Sequence, residues 1–164
     1  MRNPDFDSLV RAYAAELYRY AYWLCRDRFV AEDLVQETFA RAWSARANLR
    51  EQGAAKSWLY TILRNEHARL HERKRLDVED DQDLDAIEDQ RLRSVSADLE
   101  MRQALHALPE SYREPLLLQV VGGFSCDEIA QMMNLTPGAV MTRLTRARQV
   151  LRRESKGGLR ESSQ

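Results

Sequence analysis

The chain has 164 residues, of which 44% are hydrophobic and 31% charged, which suits one ordinary domain or two small ones and excludes a largely disordered protein. No apolar run approaches the roughly 18 residues of a membrane span, and the first residues lack the apolar core of a secretory signal. Cys25 and Cys126 belong to separate helical patterns without a CxxC motif or a Cys/His cluster, so neither a disulfide framework nor a metal site is predicted. We therefore expect a cytoplasmic protein with no cofactor.

The net charge of −1 conceals an uneven distribution along the chain. Residues 1–75 hold 14 Lys and Arg against 10 Asp and Glu, residues 76–99 hold 2 against 9, and residues 100–164 hold 9 against 7. Like charges repel and few apolar residues are present, so the acidic segment cannot build a core. We predict an N-terminal domain over residues 1–75 and a flexible acidic linker over residues 76–96. A C-terminal domain over residues 97–156 and a polar tail over residues 157–164 follow.

The acidic linker is most simply a soluble spacer. Shielding of a basic surface and passage through a nucleic-acid channel are the alternatives.

Apolar residues recur at spacings of three and four in three stretches of the N-terminal domain and predict amphipathic helices over residues 7–24, 30–45 and 56–75. A loop containing Gly53 separates the second helix from the third. The second helix has a packed side that includes Phe39 and Trp43 and a polar side that includes Asp33 and Glu37. The pattern alone allows this polar side to be a solvated face or a docking surface for a protein partner.

The third predicted helix combines aromatic, amide and guanidinium groups on one outer face, whose members are Tyr60, Thr61, Arg64, Asn65, Ala68, His71 and Arg75. Rings stack on unpaired bases and Arg neutralises phosphate, so this composition suits single-stranded or unpaired nucleic acid. His67 and His71 are four residues apart and could both ligate a metal on geometry. Because no third ligand accompanies them in a recognisable motif, no metal site is predicted.

The C-terminal domain is predicted to contain four helices. The first covers residues 97–107, and the second begins at Pro109 and ends at Gly122 and Gly123, a pair that suits a helix C-cap. Pro115 lies inside the second helix and predicts a distorted first turn or a kink. The expected core of this domain is the apolar set Leu116, Leu117, Leu118, Val120 and Val121.

Residues 124–153 have the pattern of a helix-turn-helix. Ser125 and Glu128 form a capping box, and Asn134 tolerates a left-handed turn. Thr136 and Pro137 then start a second helix, whose apolar stripe is Val140, Leu144, Ala147 and Leu151. The opposite face carries Met141, Thr142, Thr145, Arg146 and Gln149, flanked by Arg143, Arg148, Arg152 and Arg153. Such a face suits a DNA groove, although an αα-hairpin with a solvated basic face has the same pattern.

Both halves of the chain resemble one protein family, the bacterial sigma-70-family factors of group 4, known as the extracytoplasmic-function (ECF) type. The second conserved region of these factors is similar to AEDLVQETFARAW followed by SWLYTILRNEHARLHERKR. Their fourth region is similar to LPESYREPLLL and FSCDEIAQMMNLTPGAVMTRLTRARQVLRR. The resemblance implies an all-α protein of two small helical domains. It also implies a non-enzymatic subunit that binds core RNA polymerase, directs it to promoters and helps to open them.

The resemblance also implies roles for residues that match by position. The residues expected to dock on the β and β′ subunits of core RNA polymerase are Asp33, Leu34, Gln36, Glu37, Phe39, Ala40 and Trp43. Opening and recognition of the minus-10 element fall to Trp58, Tyr60, Arg64, Asn65, His67, Arg69, His71 and Arg73. Recognition of the minus-35 element falls to Met141, Thr142, Arg143, Thr145, Arg146 and Arg148, of which Arg143 and Arg148 are expected on phosphates.

Some residues depart from those common in the family. Met141 and Thr145 do so in the recognition helix, so the promoter sequence cannot be transferred. Cys126 replaces a commonly aromatic residue, and we expect a small semi-buried thiol there rather than a redox group.

The family further implies restraint by an anti-sigma factor, which can hold such a protein at the membrane, and a role in a stress response or in an envelope or metal response. The alternative is a stand-alone helix-turn-helix regulator, which would use neither the docking residues nor the unpaired-base face. A metal-dependent nuclease is disfavoured because the acidic residues are concentrated in the linker, without a fixed helical face.

Overall fold

A computed structural model describes the chain over residues 3–49, 51–77 and 96–161. Within these ranges it contains seven α-helices, two short 3-10 turns and no β-strand, so the all-α prediction is confirmed. The chain divides into two compact units, Met1–Ala86 and Ile87–Gln164. The predicted acidic linker lies almost entirely outside the described residues.

The first unit is built from three helices, which are α1 (Asn3–Cys25), α2 (Arg28–Ser44) and α3 (Ala55–Asp77). Each of the three contacts the other two. The predicted loop before α3 contains two 3-10 turns, Arg46–Asn48 and Gln52–Ala54. The buried apolar side chains of the three helices include Leu17, Tyr20, Leu24, Leu34, Ala42, Leu59, Tyr60 and Leu63.

The connection between α1 and α2 is two residues long. Arg26 adopts a left-handed conformation, with φ 65°, and so reverses the chain direction. Asp27 then accepts hydrogen bonds from the backbone N–H groups of Phe29 (2.8 Å) and Val30 (3.2 Å), which would otherwise lack partners in the first turn. This N-cap starts α2 at Arg28, two residues before the predicted boundary.

The second unit contains α4 (Ser96–Ala107), α5 (Glu110–Val120), α6 (Cys126–Met133) and α7 (Pro137–Glu161). The long helix α7 contacts the other three. The core includes Leu105, Leu108, Leu116, Leu117, Leu118, Phe124, Ile129, Val140, Leu144 and Ala147.

One part of the prediction for this unit is wrong. Val120 is 71% exposed and Val121 only half-buried, because residues turn by about 100° each along a helix and a run of neighbours cannot all face one core. α7 continues to Glu161, so the first residues of the predicted polar tail belong to this helix. Gly157 and Gly158 lower helix propensity but keep their N–H donors, and they do not end the helix.

Pro115 is buried within α5, which runs through it. Because proline has no N–H, the carbonyl of Ser111 four residues earlier loses its usual partner within the helix. The guanidinium of Arg143 on α7 donates a hydrogen bond to that oxygen at 3.5 Å. The proline therefore opens an acceptor site for the neighbouring helix.

The glycine pair ends α5 as predicted. Gly123 has φ +70°, a conformation that disfavours residues with a Cβ. A Cβ on Gly122 would lie 2.6 Å from the ring of Phe124 and 2.7 Å from the carbonyl oxygen of Leu118. The chain can turn from α5 into α6 this tightly only because both positions lack side chains.

Arg113 joins α4 to α5. Its guanidinium donates to the carbonyl oxygens of Leu105 (2.9 Å), His106 (2.9 Å) and Leu108 (2.8 Å) at the end of α4. A cation at a helix C-terminus also complements the helix dipole. None of the helices in the described part of the chain has an apolar stretch long enough to cross a membrane.

Candidate functional site

The polar face of α2 is exposed, as its pattern predicts. Asp33, Gln36, Glu37 and Ala40 all face solvent within the first unit. Leu34 was predicted to dock with them but is only 5% exposed. It packs in the core between the helices, so its assignment as a contact residue is wrong.

An aromatic cluster lies at the edge of this face. Phe6 of α1 is buried, and its ring meets those of Phe39 and Trp43 edge-on, with centroids 6.5 Å and 5.0 Å apart. Arg46 lies over the Trp43 ring at 4.0 Å and donates to the Trp43 carbonyl oxygen at 2.7 Å. Trp43 nevertheless remains 36% exposed. The cluster holds an apolar ring at the surface beside the acidic face.

A nearly buried carboxylate connects α2 to α3. Glu66 is 9% exposed, and its Oε1 pairs with Arg41 of α2 and with Arg69 of α3, the latter at 3.3 Å. Arg41 also contacts Glu37 at 3.2 Å. A carboxylate this poorly hydrated needs such partners to remain charged. The pairing thus ties the exposed polar face of α2 to the face of α3 that carries Arg69.

The outer face of α3 differs from the predicted one at Tyr60, which is 0% exposed, so its assignment to an exposed base-reading face is wrong. His67, which the family resemblance assigns to the minus-10 element, is 5% exposed. The ring of His67 instead packs edge-on against that of His71, with centroids 4.7 Å apart. The remaining predicted residues are exposed or half-buried on this helix, namely Trp58, Arg64, Asn65, Arg69, His71 and Arg73.

Tyr60 is a core residue with a polar end. Its ring packs against Tyr20 with centroids 4.9 Å apart, and its hydroxyl donates to Glu16 at 2.7 Å. Glu16 also pairs with Lys56 at 3.0 Å. Burial, followed by the hydrogen bond and the negative charge of Glu16, raises the pKa of Tyr60 well above its ordinary value. Because its hydroxyl is thus satisfied inside the unit, Tyr60 supports α3 from below.

The helix-turn-helix has the geometry that its sequence predicts. Glu128 N–H donates to the Ser125 hydroxyl at 3.1 Å, and Ser125 N–H donates to the Glu128 carboxylate at 3.0 Å, which completes the capping box. Asn134 adopts the left-handed conformation with φ 55° and ψ 48°. The Thr136 hydroxyl then accepts from Ala139 N–H at 3.1 Å and caps α7. Both ends of the turn are therefore fixed.

The outward face of α7 forms a shallow open depression of about 300 Å³, lined by Met141, Thr142, Thr145, Arg146 and Gln149. Met141 is 59% exposed, whereas Val140, Leu144 and Ala147 are buried. The core stripe and the outward face thus lie on opposite sides of the helix. Thr142 donates its hydroxyl proton to the Gly138 carbonyl at 3.0 Å, which leaves its methyl group and a lone pair outward.

The basic flank of α7 contacts α5. Arg143 meets the Ser111 carbonyl, Arg146 reaches the Tyr112 hydroxyl at 3.5 Å, and Arg148 donates to the Gln119 side-chain carbonyl. Arg143 is half-buried, whereas Arg146 and Arg148 are exposed.

Two family models match the two units in the same order as the sequence resemblance. Sigma-70 region 2 matches residues 9–76, and Sigma-70 region 4 matches residues 98–151.

Individual relatives extend this match over nearly the whole chain. The ECF RNA polymerase sigma factor EcfG of Rhodopseudomonas palustris is 33% identical over 90% of this chain and 85% of its own length. The ECF RNA polymerase sigma factor SigE of Mycolicibacterium smegmatis is 33% identical over 91% of this chain, which spans 61% of that relative. The sigma factor RpoE of Bartonella quintana, solved in complex with the anti-sigma factor NepR, superposes on this chain with a TM-score of 0.77 and 29% sequence identity. The superposition covers 93% of this chain and 97% of the RpoE chain.

The helical units and their matched regions define a transcription initiation factor of the sigma-70 type, a class that is not enzymatic. Within that class, the chain belongs to the family of ECF RNA polymerase sigma factors.

Sequence patterns missed several residues that shape these surfaces. No pattern in the sequence points to Phe6 as the support of Trp43 or to Gln119 as a partner of Arg148. Nor does a pattern indicate that Glu66 bridges two helices. The spacing of three residues between Glu66 and Arg69 is only a weak indication of an ion pair in the sequence. The second partner of Glu66, Arg41, lies on another helix. Long-range pairs of this kind leave no periodic trace in one sequence.

The buried hydroxyl of Tyr60 predicts an alkaline sensitivity of the first unit. A tyrosine whose pKa is raised by folding contributes stability that is fully present below its unfolded pKa of about 10 and is lost as the pH rises further. In Tyr60→Phe, the free energy of unfolding should therefore decrease less steeply with pH above about 10. At neutral pH this substitution should cost about 1 kcal/mol for the lost hydrogen bond.

Urea unfolding of the full chain at several pH values, followed by circular dichroism, measures both effects. Tyr18→Phe, which removes a hydroxyl from a half-buried ring, is the control at neutral pH. An unchanged alkaline slope in Tyr60→Phe would show that its hydroxyl is hydrated.

Proposed function

We propose that this chain binds core RNA polymerase through the exposed face of α2 and directs it to promoters whose two elements are recognised by α3 and α7. Core polymerase and the chromosome share the bacterial cytoplasm, so the proposed role belongs there. One observation carries the proposal: the chain has an exposed acidic face on α2 and, after it, a capped helix-turn-helix with an exposed outer face. The two regions follow each other in the order of the matched sigma-70 regions.

The docking contact is proposed for Asp33, Gln36, Glu37, Ala40 and the exposed part of Trp43. Acidic and amide groups give direction to association through charge and hydrogen bonding, and a surface aromatic ring supplies apolar contact area. Phe39 contributes by packing beneath the surface. Leu34 belongs to the core and is left out of the docking set.

The minus-10 contact is proposed for the exposed side of α3. Arg64, Arg69 and Arg73 supply positive charge for phosphates, while Asn65 offers hydrogen bonds to base edges. With Tyr60 in the core, the rings available to stack on unpaired bases are the half-buried Trp58 and the exposed His71. Capture of unstacked bases lowers the free energy of the opened strand and so favours promoter melting.

The minus-35 contact is proposed for the outward face of α7 in a major groove. Met141, Thr142, Thr145 and Arg146 present apolar, hydroxyl and guanidinium groups to base edges, and Arg143 and Arg148 flank them as phosphate contacts. The exposure of this face leaves it free to enter a groove without any change in the core.

In vitro transcription tests the proposal directly. Purified core RNA polymerase, this protein and a genomic promoter pool should yield discrete 5′ ends that require the protein. Asp33→Lys should abolish them by reversing a charge on the docking face. Glu32→Lys, an equal charge change at the neighbouring position outside the docking set, is the matched control and should retain them.

Absence of protein-dependent start sites, together with intact binding to duplex DNA, would favour a stand-alone regulator instead. Start sites that survive Asp33→Lys would remove the docking role from this residue.

Arg146 provides a separate test of base recognition. If its guanidinium bonds a base edge, Arg146→Ala should weaken binding to a recovered promoter by roughly 1–3 kcal/mol and spare binding to scrambled minus-35 DNA. Fluorescence polarisation of the polymerase complex on both duplexes measures the difference. An equal loss on both would assign Arg146 to phosphate.

Restraint by an anti-sigma factor is also proposed, in a stress or envelope response and with retention at the membrane where the inhibitor is membrane-bound. The similar Bartonella quintana factor was solved with such an inhibitor, and the proposed docking face and the basic flank are exposed surfaces that an inhibitor can bind. Deletion of the inhibitor gene should raise transcription from the recovered promoters. Unchanged transcription after deletion of every candidate gene would reject the proposal.

A further inference from the structure

The side chain of Gln119 lies where α5 meets the basic flank of α7. Its carbonyl oxygen accepts a hydrogen bond from Nη2 of Arg148. Gln119 is half-buried at the seam, whereas Arg148 is exposed. Arg143 and Arg146 make similar contacts with α5 further along the same seam. Two flanking arginines, Arg143 and Arg148, and Arg146 of the outward face are therefore held by the neighbouring helix in the free protein.

The chemistry of Gln119 decides what this contact can do. An amide oxygen accepts one of the five guanidinium N–H donors and leaves the full positive charge and the remaining donors available. A carboxylate at the same place would hold the arginine more strongly but would neutralise it and repel phosphate. A neutral acceptor is thus the partner expected for an arginine that is held ready for an anion.

We propose that Gln119 is a positioning residue that orders Arg148 for contact with a phosphate of the DNA backbone. A free arginine side chain loses many rotamers when it binds, and ordering it beforehand reduces that loss. Gln119 itself need not touch the DNA. The proposal rests on the proposed contact of α7 with duplex DNA and adds a residue of α5 to the recognition surface.

The test compares Gln119→Ala and Gln119→Glu in the full chain, using a short labelled duplex of mixed sequence because phosphate contacts need no particular base. Gln119→Ala should weaken binding roughly 2- to 10-fold, the effect of releasing one long side chain. Gln119→Glu should weaken it further, although it keeps a partner for Arg148. Because a carboxylate repels phosphate whatever its partner, Gln119→Ala decides the role, and it should bind the duplex as the unchanged protein does if Gln119 does not position Arg148.

A double-mutant cycle gives the second measurement. In an Arg148→Ala background, Gln119→Ala should have no further effect on duplex binding, because the side chain that it positions is gone. Gln103→Ala, which truncates the same side chain at an exposed site on α4, is the matched control and should bind as the unchanged protein does. Circular dichroism melting of each variant shows whether the fold is retained.

The outcomes separate the proposed contact of α7 with DNA from the proposed positioning role of Gln119. If the unchanged protein fails to bind the duplex even at low salt, the proposed DNA contact of α7 fails, and the role of Gln119 fails with it. If the unchanged protein binds, but Gln119→Ala binds equally well or the two substitutions have independent effects, only the positioning role is overturned.

Discussion

The turn between α6 and α7 is the constraint on which the outward face of α7 depends. Asn134 closes α6 in a left-handed conformation, and the hydroxyl of Thr136 caps the first turn of α7. Both attachments are hydrogen-bonded, so α7 leaves the turn in a defined direction and buries Val140 and Leu144 against the unit. Its opposite face then has no place in the core and is exposed. The exposed face proposed to contact DNA is thus a geometric result of the turn and of the packed stripe.

In the first unit, buried polar groups set the positions of the helices. Glu66 on α3 pairs with Arg41 on α2, and Tyr60 on α3 donates to Glu16 on α1. Each group would be costly to bury alone, so a shift of α3 that broke either pair would leave an unsatisfied polar atom. These contacts fix how the exposed residues of α2 and α3 are presented. The Phe6 cluster does the same for the ring of Trp43.

Local signals in the sequence predicted the helix-turn-helix well, because a capping box, a left-handed Asn and a single buried stripe are all specified within a few residues. They failed for Tyr60, because a helical-wheel projection of one helix assumes one buried stripe, whereas α3 packs against both α1 and α2 and buries a wider arc. Asp27 was missed because it precedes the periodic region. The predicted contact residues remain predictions until the proposed experiments are made.

The separation of the two faces of α7 also affects how such a factor can change over evolutionary time. Met141 and the other outward residues contribute little to the core, so substitutions among them cost little folding stability. If this face contacts the minus-35 element as proposed, gene copies can acquire different promoter preferences without first acquiring compensating changes in the core. The same property would let several engineered copies operate side by side in one cell, each controlling its own set of genes, provided that each retains the polymerase contact.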